Sequence, residues 1–324
     1  MLFFQRKIWL QPKIGLSLFA NSVVPALLPF FIAAELLSHT NIIPILGKYL
    51  NKLMKPLFNV PGIGSFAFLM GIISGYPVGA KIVSDFRTKG LCTKEEGERL
   101  LAFTNNSGPL FIIGTVGIAM FGDSRTGFLL FLTHILSCIT VGIIFRFWKK
   151  DKLRRDYRNT IEDASIDLKF SSLGELLANS ISHSIATILN IGGFIVLFSV
   201  VISILTKLNL FGVLGSIFAN IFSTNSELLS GFFSGLIELT NGVQNISGLM
   251  GKSISINIIL CAFLLGFGGI SVLLQVFSII SKTDVSIKPY FIGKLLQGSF
   301  SAFYTYLFLK YTNLFNLDIV TTFS

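Results

Sequence analysis

The sequence has very little charge for its length. Only 13% of its 324 residues are Asp, Glu, Lys or Arg, whereas a soluble globular chain typically has about 25%. Hydrophobic residues make up 52% of the chain, and its mean hydropathy is +0.74. This composition excludes a disordered chain and an ordinary soluble enzyme, and it indicates a protein that crosses a membrane several times.

Cysteine and histidine are also scarce, with three residues of each type. Cys92, Cys138 and Cys261 are too scattered for a disulfide framework, so reduced thiols are expected. The histidines do not have the spacing of metal ligands, and no zinc-protease, serine-hydrolase or Walker A motif occurs. We therefore expect a protein that is not an enzyme and that holds no metal. No cofactor is expected either, apart from a coupling proton or Na⁺.

The net charge is +10, but no basic stripe with interleaved aromatic residues lies outside the apolar segments. In membrane proteins an excess of Lys and Arg marks the cytoplasmic loops. The expected partners are therefore the lipid bilayer and a small-molecule anion as substrate, with no nucleic acid. A homo-oligomer is left open.

Six apolar stretches are long enough to cross the roughly 30 Å hydrocarbon core of a bilayer. They cover residues 14–37, 99–121, 126–148, 183–206, 254–280 and 289–310. Shorter pieces lie between them. Residues 42–58 carry three lysines on one side and predict an amphipathic helix at the interface. Residues 62–80 are apolar, rich in Gly and interrupted by Pro77.

Short matches at a nearly constant spacing indicate two related halves. LFANS at 18–22 matches LLANS at 176–180. Leu46-Gly47 matches Leu214-Gly215, and Gly71 matches Gly235. The last match pairs Leu100, Ala102, Phe103 and Gly108 with Leu260, Ala262, Phe263 and Gly268. We predict an all-α polytopic membrane protein with interrupted helices, built as an inverted repeat of about three spans plus one re-entrant hairpin per half. The halves are residues 1–150 and 176–324, joined by a basic cytoplasmic linker at 151–175.

The hairpin decides this topology. If residues 62–80 do not cross, each half crosses three times and the two halves point in opposite directions. The cytoplasmic segments would then be 38–61, 81–99, 146–175 and 281–288, which hold 18 of the 26 Lys and Arg residues. If residues 62–80 cross instead, the basic N-terminus moves inside. The hairpin is favoured because the segment is short, is interrupted by Gly and Pro, and has a counterpart with an acidic residue.

Two motifs of the first half are candidates for substrate binding. The first is Ser74, Gly75, Tyr76 and Pro77, where irregular backbone at membrane depth requires a protein or wet environment. A glycine packing seam is the alternative for this motif. The second is Asn105, Asn106, Ser107 and Gly108, followed by Pro109. A helix starting there would offer free amides to an anion, and a kink bonded to neighbouring helices is the alternative.

Two motifs of the second half complete the candidate set. Glu238, Thr240, Asn241 and Gln244 place a carboxylate in an apolar segment, where it would bind a coupling ion or orient amide donors. A Glu at the exposed end of a hairpin is the alternative. Gly268 and Gly269 belong to Gly266-Phe267-Gly268-Gly269, which lies at the position equivalent to Ser107-Gly108-Pro109. They would break the second long span and offer backbone amides to a ligand, unless they form a packing seam.

Two further polar residues lie within apolar spans. For His134, a neutral ring bonded to a backbone carbonyl is favoured over a proton relay. Lys294 either reaches towards the surface or meets an anion, and its sequence context leaves both readings open.

The stretch from Gly71 to Gly122 resembles the YlbJ-type sporulation integral membrane proteins of endospore formers. SGYPVGAK and FTNNSGP carry the resemblance, and ELTNG at 238–242 is similar to the family's acidic motif. These proteins belong to a wider group with nucleoside-recognition Gate domains, which is similar to concentrative nucleoside transporters and to the membrane part of ferrous-iron transporters. The resemblance implies that the protein moves dipicolinic acid from the mother cell across the outer forespore membrane during sporulation.

The candidate residues are compatible with this substrate. Dipicolinate is a small aromatic dianion, which helix N-termini, Asn amides and the ring of Tyr76 would suit. Composition alone does not select dipicolinate over a nucleoside. The alternatives are a Gate-type permease for a nucleoside or an ion, and a sporulation membrane scaffold that transports nothing.

Overall fold

The structure is a computed structural model that describes residues 13, 15–17, 19–38, 42–149, 170–222, 224–249 and 254–312. All regular elements in these ranges are helical. The basic N-terminal residues Arg6 and Lys7, and most of the linker predicted at 151–175, lie outside them. The helices are α1 (Val24–Ser38), α2 (Ile42–Phe58), α3 (Gly64–Ser74), α4 (Val78–Thr88), α5 (Lys94–Thr104), the π-helical α6 (Leu110–Met120), α7 (Ser124–Phe145), α8 (Phe170–Lys207), α9 (Leu210–Phe222), α10 (Ser226–Ile237), α11 (Leu239–Ser247), α12 (Ile254–Phe267), α13 (Gly269–Ile280) and α14 (Ile287–Tyr311).

The helices follow one another in the same order in the two halves. A helix of moderate length (α2 or α9) precedes a pair of short helices (α3 and α4, or α10 and α11). An interrupted pair follows (α5 and α6, or α12 and α13), and a long unbroken helix (α7 or α14) ends each half. This order agrees with the predicted repeat. The opposite orientation of the halves in the membrane stays a prediction.

Within the described residues three segments are long and apolar enough to cross a membrane: Ser124–Phe145, Gly174–Lys207 and Ser255–Ile280. They overlap the predicted spans 126–148, 183–206 and 254–280, and the last of them is interrupted between α12 and α13. The predicted span 99–121 is also divided, because α5 ends at Thr104 and α6 begins at Leu110. Each of these two helices has 11 residues. A regular α-helix of that length covers about 16 Å, which is too short to cross alone.

The same aromatic contact occurs in both halves. The ring centroids of Phe68 and Phe103 lie 5.6 Å apart at an interplanar angle of 51°. Those of Phe232 and Phe263 lie 5.5 Å apart at 53°. These four residues occupy corresponding positions of the sequence repeat, so the two halves pack alike where the short pair meets the interrupted pair.

The long helix α14 packs closely against both interrupted pairs. A Cβ on Gly293 would lie 2.7 Å from the carbonyl oxygen of Ala102 in α5, and a Cβ on Gly298 would lie 2.8 Å from that of Phe263 in α12. Side chains are absent at these two points, so the backbones approach directly. This position brings other side chains of α14 between the halves.

Buried charged residues fix α5 against the end of α7. Glu98 accepts hydrogen bonds from Trp148 Nε1 at 2.8 Å and from Lys149 Nζ at 3.1 Å. Arg99 Nη1 donates to the carbonyl oxygens of Trp148 and Lys149 at 2.8 and 3.0 Å. The start of the first interrupted pair is therefore held in place, which positions the residues that follow α5.

Candidate functional site

Helices α3 and α4 form a hairpin over residues 64–88, so the predicted segment 62–80 covers the first arm and the turn but only the start of the second arm. A Cβ on Gly71 would lie 3.4 Å from Cα of Gly79, whereas residues eight apart in a straight α-helix are separated by about 12 Å. The chain turns at Gly75, whose φ of +83° favours glycine. A Cβ on either Gly71 or Gly79 would collide with the carbonyl oxygen of Thr104. The predicted glycine seam therefore also exists, and it holds the end of α5 between the arms of the hairpin.

The first interrupted pair has its break at the hairpin tip. Asn105, Asn106 and Ser107 lie between α5 and α6 and are buried. A Cβ on Gly108 would lie 3.3 Å from the backbone nitrogen of Gly75. The two predicted motifs of the first half are therefore in direct contact, backbone to backbone.

The amide side chains of this break are bonded within the protein. Asn105 Nδ2 donates to Tyr290 Oη at 2.9 Å, and Asn105 Oδ1 accepts from the backbone nitrogen of Ala80 at 3.4 Å. Asn106 Nδ2 donates to the carbonyl oxygen of Phe103, while Asn106 Oδ1 accepts from Gln297 Nε2, both at 2.8 Å. The break in the first half is thus held by α14 of the second half.

Lys294 of α14 is the basic residue of this cluster. Its side chain has no exposed surface. Its Nζ donates to the carbonyl oxygen of Asn105 at 2.7 Å and to Gln297 Oε1 at 2.6 Å, and it lies 5.2 Å from the centroid of the Tyr76 ring. Of the two readings that the sequence left open, the structure excludes a side chain that reaches to the surface.

His134 of α7 completes the cluster in a way that differs from the prediction. Its Nε2 lies 3.3 Å from the backbone nitrogen of Ser107 and 3.4 Å from Gln297 Nε2. An N–H donor at that distance requires a bare Nε2, so the ring accepts from a backbone amide and does not donate to a carbonyl. Within the described residues, His134 Nδ1 and the nearby Ser74 Oγ have no hydrogen-bond partner.

The tip of the second hairpin has a different chemistry. Glu238 caps the N-terminus of α11: its Oε1 accepts from the backbone nitrogen of Thr240 at 3.1 Å, and its Oε2 accepts from the backbone nitrogen and Nδ2 of Asn241, both at 2.9 Å. The carboxylate is half-buried, and Gln244 is exposed. Glu238, Thr240 and Asn241 therefore form one local capping structure, and Gln244 lies apart from it.

The second interrupted pair also meets its hairpin tip. Gly268 and Gly269 have φ angles of +85° and +81° and break the helix as predicted. A Cβ on Gly269 would lie 3.2 Å from the backbone nitrogen of Leu239. This contact corresponds to that of Gly108 with Gly75 in the first half.

Tyr76 connects the tip of the first hairpin to the break of the second interrupted pair. Its hydroxyl donates to the carbonyl oxygen of Leu265 in α12 at 2.8 Å, and its ring lies against Gly268, where a Cβ would be 3.1 Å from the hydroxyl oxygen. The hairpin of the first half therefore contacts the break of the second half. Most of the predicted residues come together here: Ser74, Gly75, Tyr76, Pro77, Asn105, Asn106, Ser107, Gly108 and Gly268.

Sequence reasoning missed two members of the cluster, Tyr290 and Gln297, and left Lys294 undecided. Gln297 follows Lys294 by three residues on an apolar helix, so both lie on one helix face. That spacing was the available signal. Among the described residues no cluster of His, Cys, Asp or Glu has the geometry to hold a metal ion, and the cluster provides amides, a lysine and aromatic rings.

Comparison with known proteins places this arrangement in a family. The Gate family, described as nucleoside recognition, matches residues 20–148. The sporulation integral membrane protein YlbJ of Bacillus subtilis (strain 168) is 37% identical over 318 residues, which is 92% of this chain and 76% of that protein. No solved structure matches the chain significantly. With that identity over most of its length, the chain belongs to the family of YlbJ-type sporulation integral membrane proteins.

Proposed function

We propose that the protein is a permease that carries dipicolinate from the mother cell across the outer forespore membrane. The observation that supports this best is the meeting of interrupted helices from both halves around buried polar side chains. Secondary transporters typically bind substrates at such interruptions, where half-helix ends face the ligand. A role without catalysis follows from the same chemistry, since amides, a lysine and aromatic rings bind and orient a solute.

The cluster has groups that match each part of the substrate. Dipicolinate has a flat ring and two carboxylates. Tyr76 offers an aromatic face, and Asn105 offers an amide donor. The start of α6 just after Pro109 adds backbone amides, whose dipoles favour a negative group. A neutral nucleoside would use the ring and the amides but not the positive charge of Lys294.

Access to the cluster requires a movement of the first hairpin. Asn105, Asn106 and Lys294 have no exposed surface, so a ligand reaches them only after Gly75 moves away from Gly108.

A cavity of about 260 Å³ lies beside this hairpin, between α4, α8 and α13. Its lining includes Lys81, Ser84, Asp85, His183, Gln275 and Lys282. We propose this polar cavity as the approach to the hairpin from the cytoplasmic side.

Uptake of labelled dipicolinate into proteoliposomes tests the proposal. The full chain should take up dipicolinate, and an excess of unlabelled nucleoside should not compete. Asn106→Ala removes the acceptor of Gln297 Nε2, so uptake should fall about tenfold. Asn245→Ala, at an exposed position on α11, is the matched control and should transport normally.

The alternatives give different results in this assay. Uptake of a nucleoside without uptake of dipicolinate would identify a Gate-type permease of another specificity. Absence of any uptake, together with normal dipicolinate content in spores that carry Asn106→Ala, would favour a scaffold. A low spore content with the Asn106→Ala protein still in the membrane agrees with the permease.

A further inference from the structure

Lys294 is a fully buried lysine, and no described carboxylate forms an ion pair with it. Its Nζ contacts two neutral oxygens and one aromatic ring, as described above. An ammonium group has three N–H donors, so two hydrogen bonds leave one donor without an oxygen acceptor. Neutral acceptors solvate the charge in part but do not neutralise it.

Several buried or half-buried carboxylates of the described residues bond other groups. Glu35 and Asp85 both bond Lys81, at 3.0 and 2.8 Å, and Glu98 bonds Lys149. Glu238 caps α11 at the tip of the second hairpin. Among the described residues no carboxylate forms an ion pair with Lys294, so an anion that enters the cluster would be its first negatively charged partner there.

An unpaired charge at this depth is expensive. Burial of a charge without a partner costs several kcal/mol in proteins, and ionisable residues within spans mark functional sites. Lys294 also lies at the point where the two halves meet: it belongs to α14 but bonds the break of the first half. A negative ligand placed there would offset the cost and would contact both halves at once.

We propose that Lys294 supplies the counter-charge for one carboxylate of the transported anion, an assignment that rests on the proposed function. The carboxylate takes the open donor of Nζ, beside Gln297 Oε1 and the carbonyl oxygen of Asn105. The aromatic ring of the same ligand then lies beside Tyr76, whose ring is already within 5.2 Å of Nζ. Lys294 therefore selects anions over neutral molecules of the same shape.

Binding to the purified full chain tests this assignment with three ligands of one shape: dipicolinate, picolinate with a single carboxylate, and the neutral pyridine-2,6-dicarboxamide. The wild type should bind dipicolinate at least tenfold more tightly than the dicarboxamide. Lys294→Met should weaken dipicolinate and picolinate binding by about 10- to 100-fold and leave dicarboxamide binding nearly unchanged. Lys310→Met, at an exposed position on the same helix, should bind like the wild type.

Thermal unfolding with and without ligand separates a binding role from a structural one. If Lys294 serves the ligand, the stabilisation by dipicolinate should disappear in Lys294→Met, although the loss of its two buried hydrogen bonds lowers the melting temperature of the free protein. A lower melting temperature with the stabilisation retained would overturn the assignment. Lys294→Gln serves as a second variant should the methionine not fold.

Different binding results would contradict the role of Lys294 and the proposed function. If wild type and Lys294→Met bind dipicolinate equally, Lys294 is not the counter-charge, but the permease proposal stands. If the wild type binds a nucleoside and no dipicolinate, the proposed function is wrong and the role of Lys294 falls with it.

Discussion

Arg87 of the first half bonds Asp284 of the second half through two parallel hydrogen bonds. Nε lies 2.7 Å from Oδ1, and Nη2 lies 3.0 Å from Oδ2. The pair joins the C-terminal end of α4 to the loop between α13 and α14. The hydrogen bonds from Arg87 hold the pKa of Asp284 below its ordinary value of 3.8. Outside the central cluster, this pair is a second link between the halves.

The stabilisation from this pair should depend on pH. Because the pKa is lower in the folded protein, the pair stabilises the fold above the ordinary aspartate pKa, and the stabilisation disappears as the pH falls below it. Asp284→Asn and Arg87→Gln should each reduce the free energy of unfolding by up to about 1 kcal/mol at pH 7, since the pair is largely exposed. The double variant should lose no more than one single variant. An equally large coupling at pH 3 in thermal unfolding would contradict this.

Gly71 should tolerate no side chain. A Cβ there collides with the carbonyl oxygen of Thr104, which the backbone cannot easily move. Gly71→Ala should lower the free energy of unfolding by about 1–3 kcal/mol and displace the break that follows Thr104. Gly193→Ala on α8 is the control, because nothing lies within 4 Å of its Cβ position. It should be neutral or stabilise by up to about 1 kcal/mol. Equal melting temperatures of the two variants would contradict the close contact of Gly71 with Thr104.

The hydroxyl of Tyr76 should contribute to the contact between the halves. Tyr76→Phe removes its hydrogen bond to the carbonyl oxygen of Leu265 but keeps the ring beside Lys294. We expect a loss of about 1 kcal/mol in thermal unfolding and retained ligand binding. Tyr76→Leu removes both contacts and should weaken binding as well. If Tyr76→Phe and Tyr76→Leu bind ligand equally, the ring has no part in the site.

Glu238 should act through its capping geometry. Asn is a good N-cap residue without a charge. Glu238→Ala should therefore cost about 1 kcal/mol of stability, and Glu238→Asn should restore most of it together with transport. Proteoliposome uptake and thermal unfolding measured on the same preparations decide this. A stable Glu238→Asn protein that does not transport would show that the charge itself is required, as expected of a coupling site.

The native cysteines should not react with thiol reagents in the folded protein. Cys92, Cys138 and Cys261 are buried. Burial also raises the pKa of the Cys92 thiol to about 12, so little thiolate exists at neutral pH. Maleimide should label the protein only after unfolding, as mass spectrometry would show. Rapid labelling of Cys92 at pH 7 would contradict its burial.

This low background permits a direct test of the inverted repeat. Arg125 follows the first interrupted pair, and Lys282 follows the second one. Both positions are exposed. If the halves are inverted, Arg125→Cys and Lys282→Cys should react with a membrane-impermeant maleimide from opposite sides of the membrane, with Lys282→Cys on the cytoplasmic side. Labelling of both introduced cysteines from the same side of the membrane would contradict the inverted repeat.

The interruptions of the helices could be predicted from the sequence because they are local. Glycine at a positive φ, as at Gly75 and Gly268, and a polar run before Pro109 change the backbone whatever packs around them. The order of the elements could be predicted from the sequence matches too, since matched residues such as Gly71 in α3 and Gly235 in α10 lie at the same place in that order. The helix cap formed by Glu238 is also local. Its sequence is equally compatible with a site for a coupling ion, so the sequence pattern alone does not distinguish the cap from the ion site.

The contacts of α14 could not be predicted in the same way. Lys294 and Asn105 are 189 residues apart, and only the packing of α14 through Gly293 brings them together. His134 shows the same limit: its span was recognised, but the prediction gave it a carbonyl partner, whereas the amide of Ser107 approaches it. Long-range packing selects such partners, and no periodicity in the chain encodes them.

The close packing of α14 on both interrupted pairs has a mechanical consequence. Gly293 and Gly298 allow no slack against Ala102 and Phe263, so a tilt of this one helix shifts both breaks together. If the protein opens to the two faces of the membrane in turn, as the proposed permease requires, this helix would couple opening on one face to closing on the other.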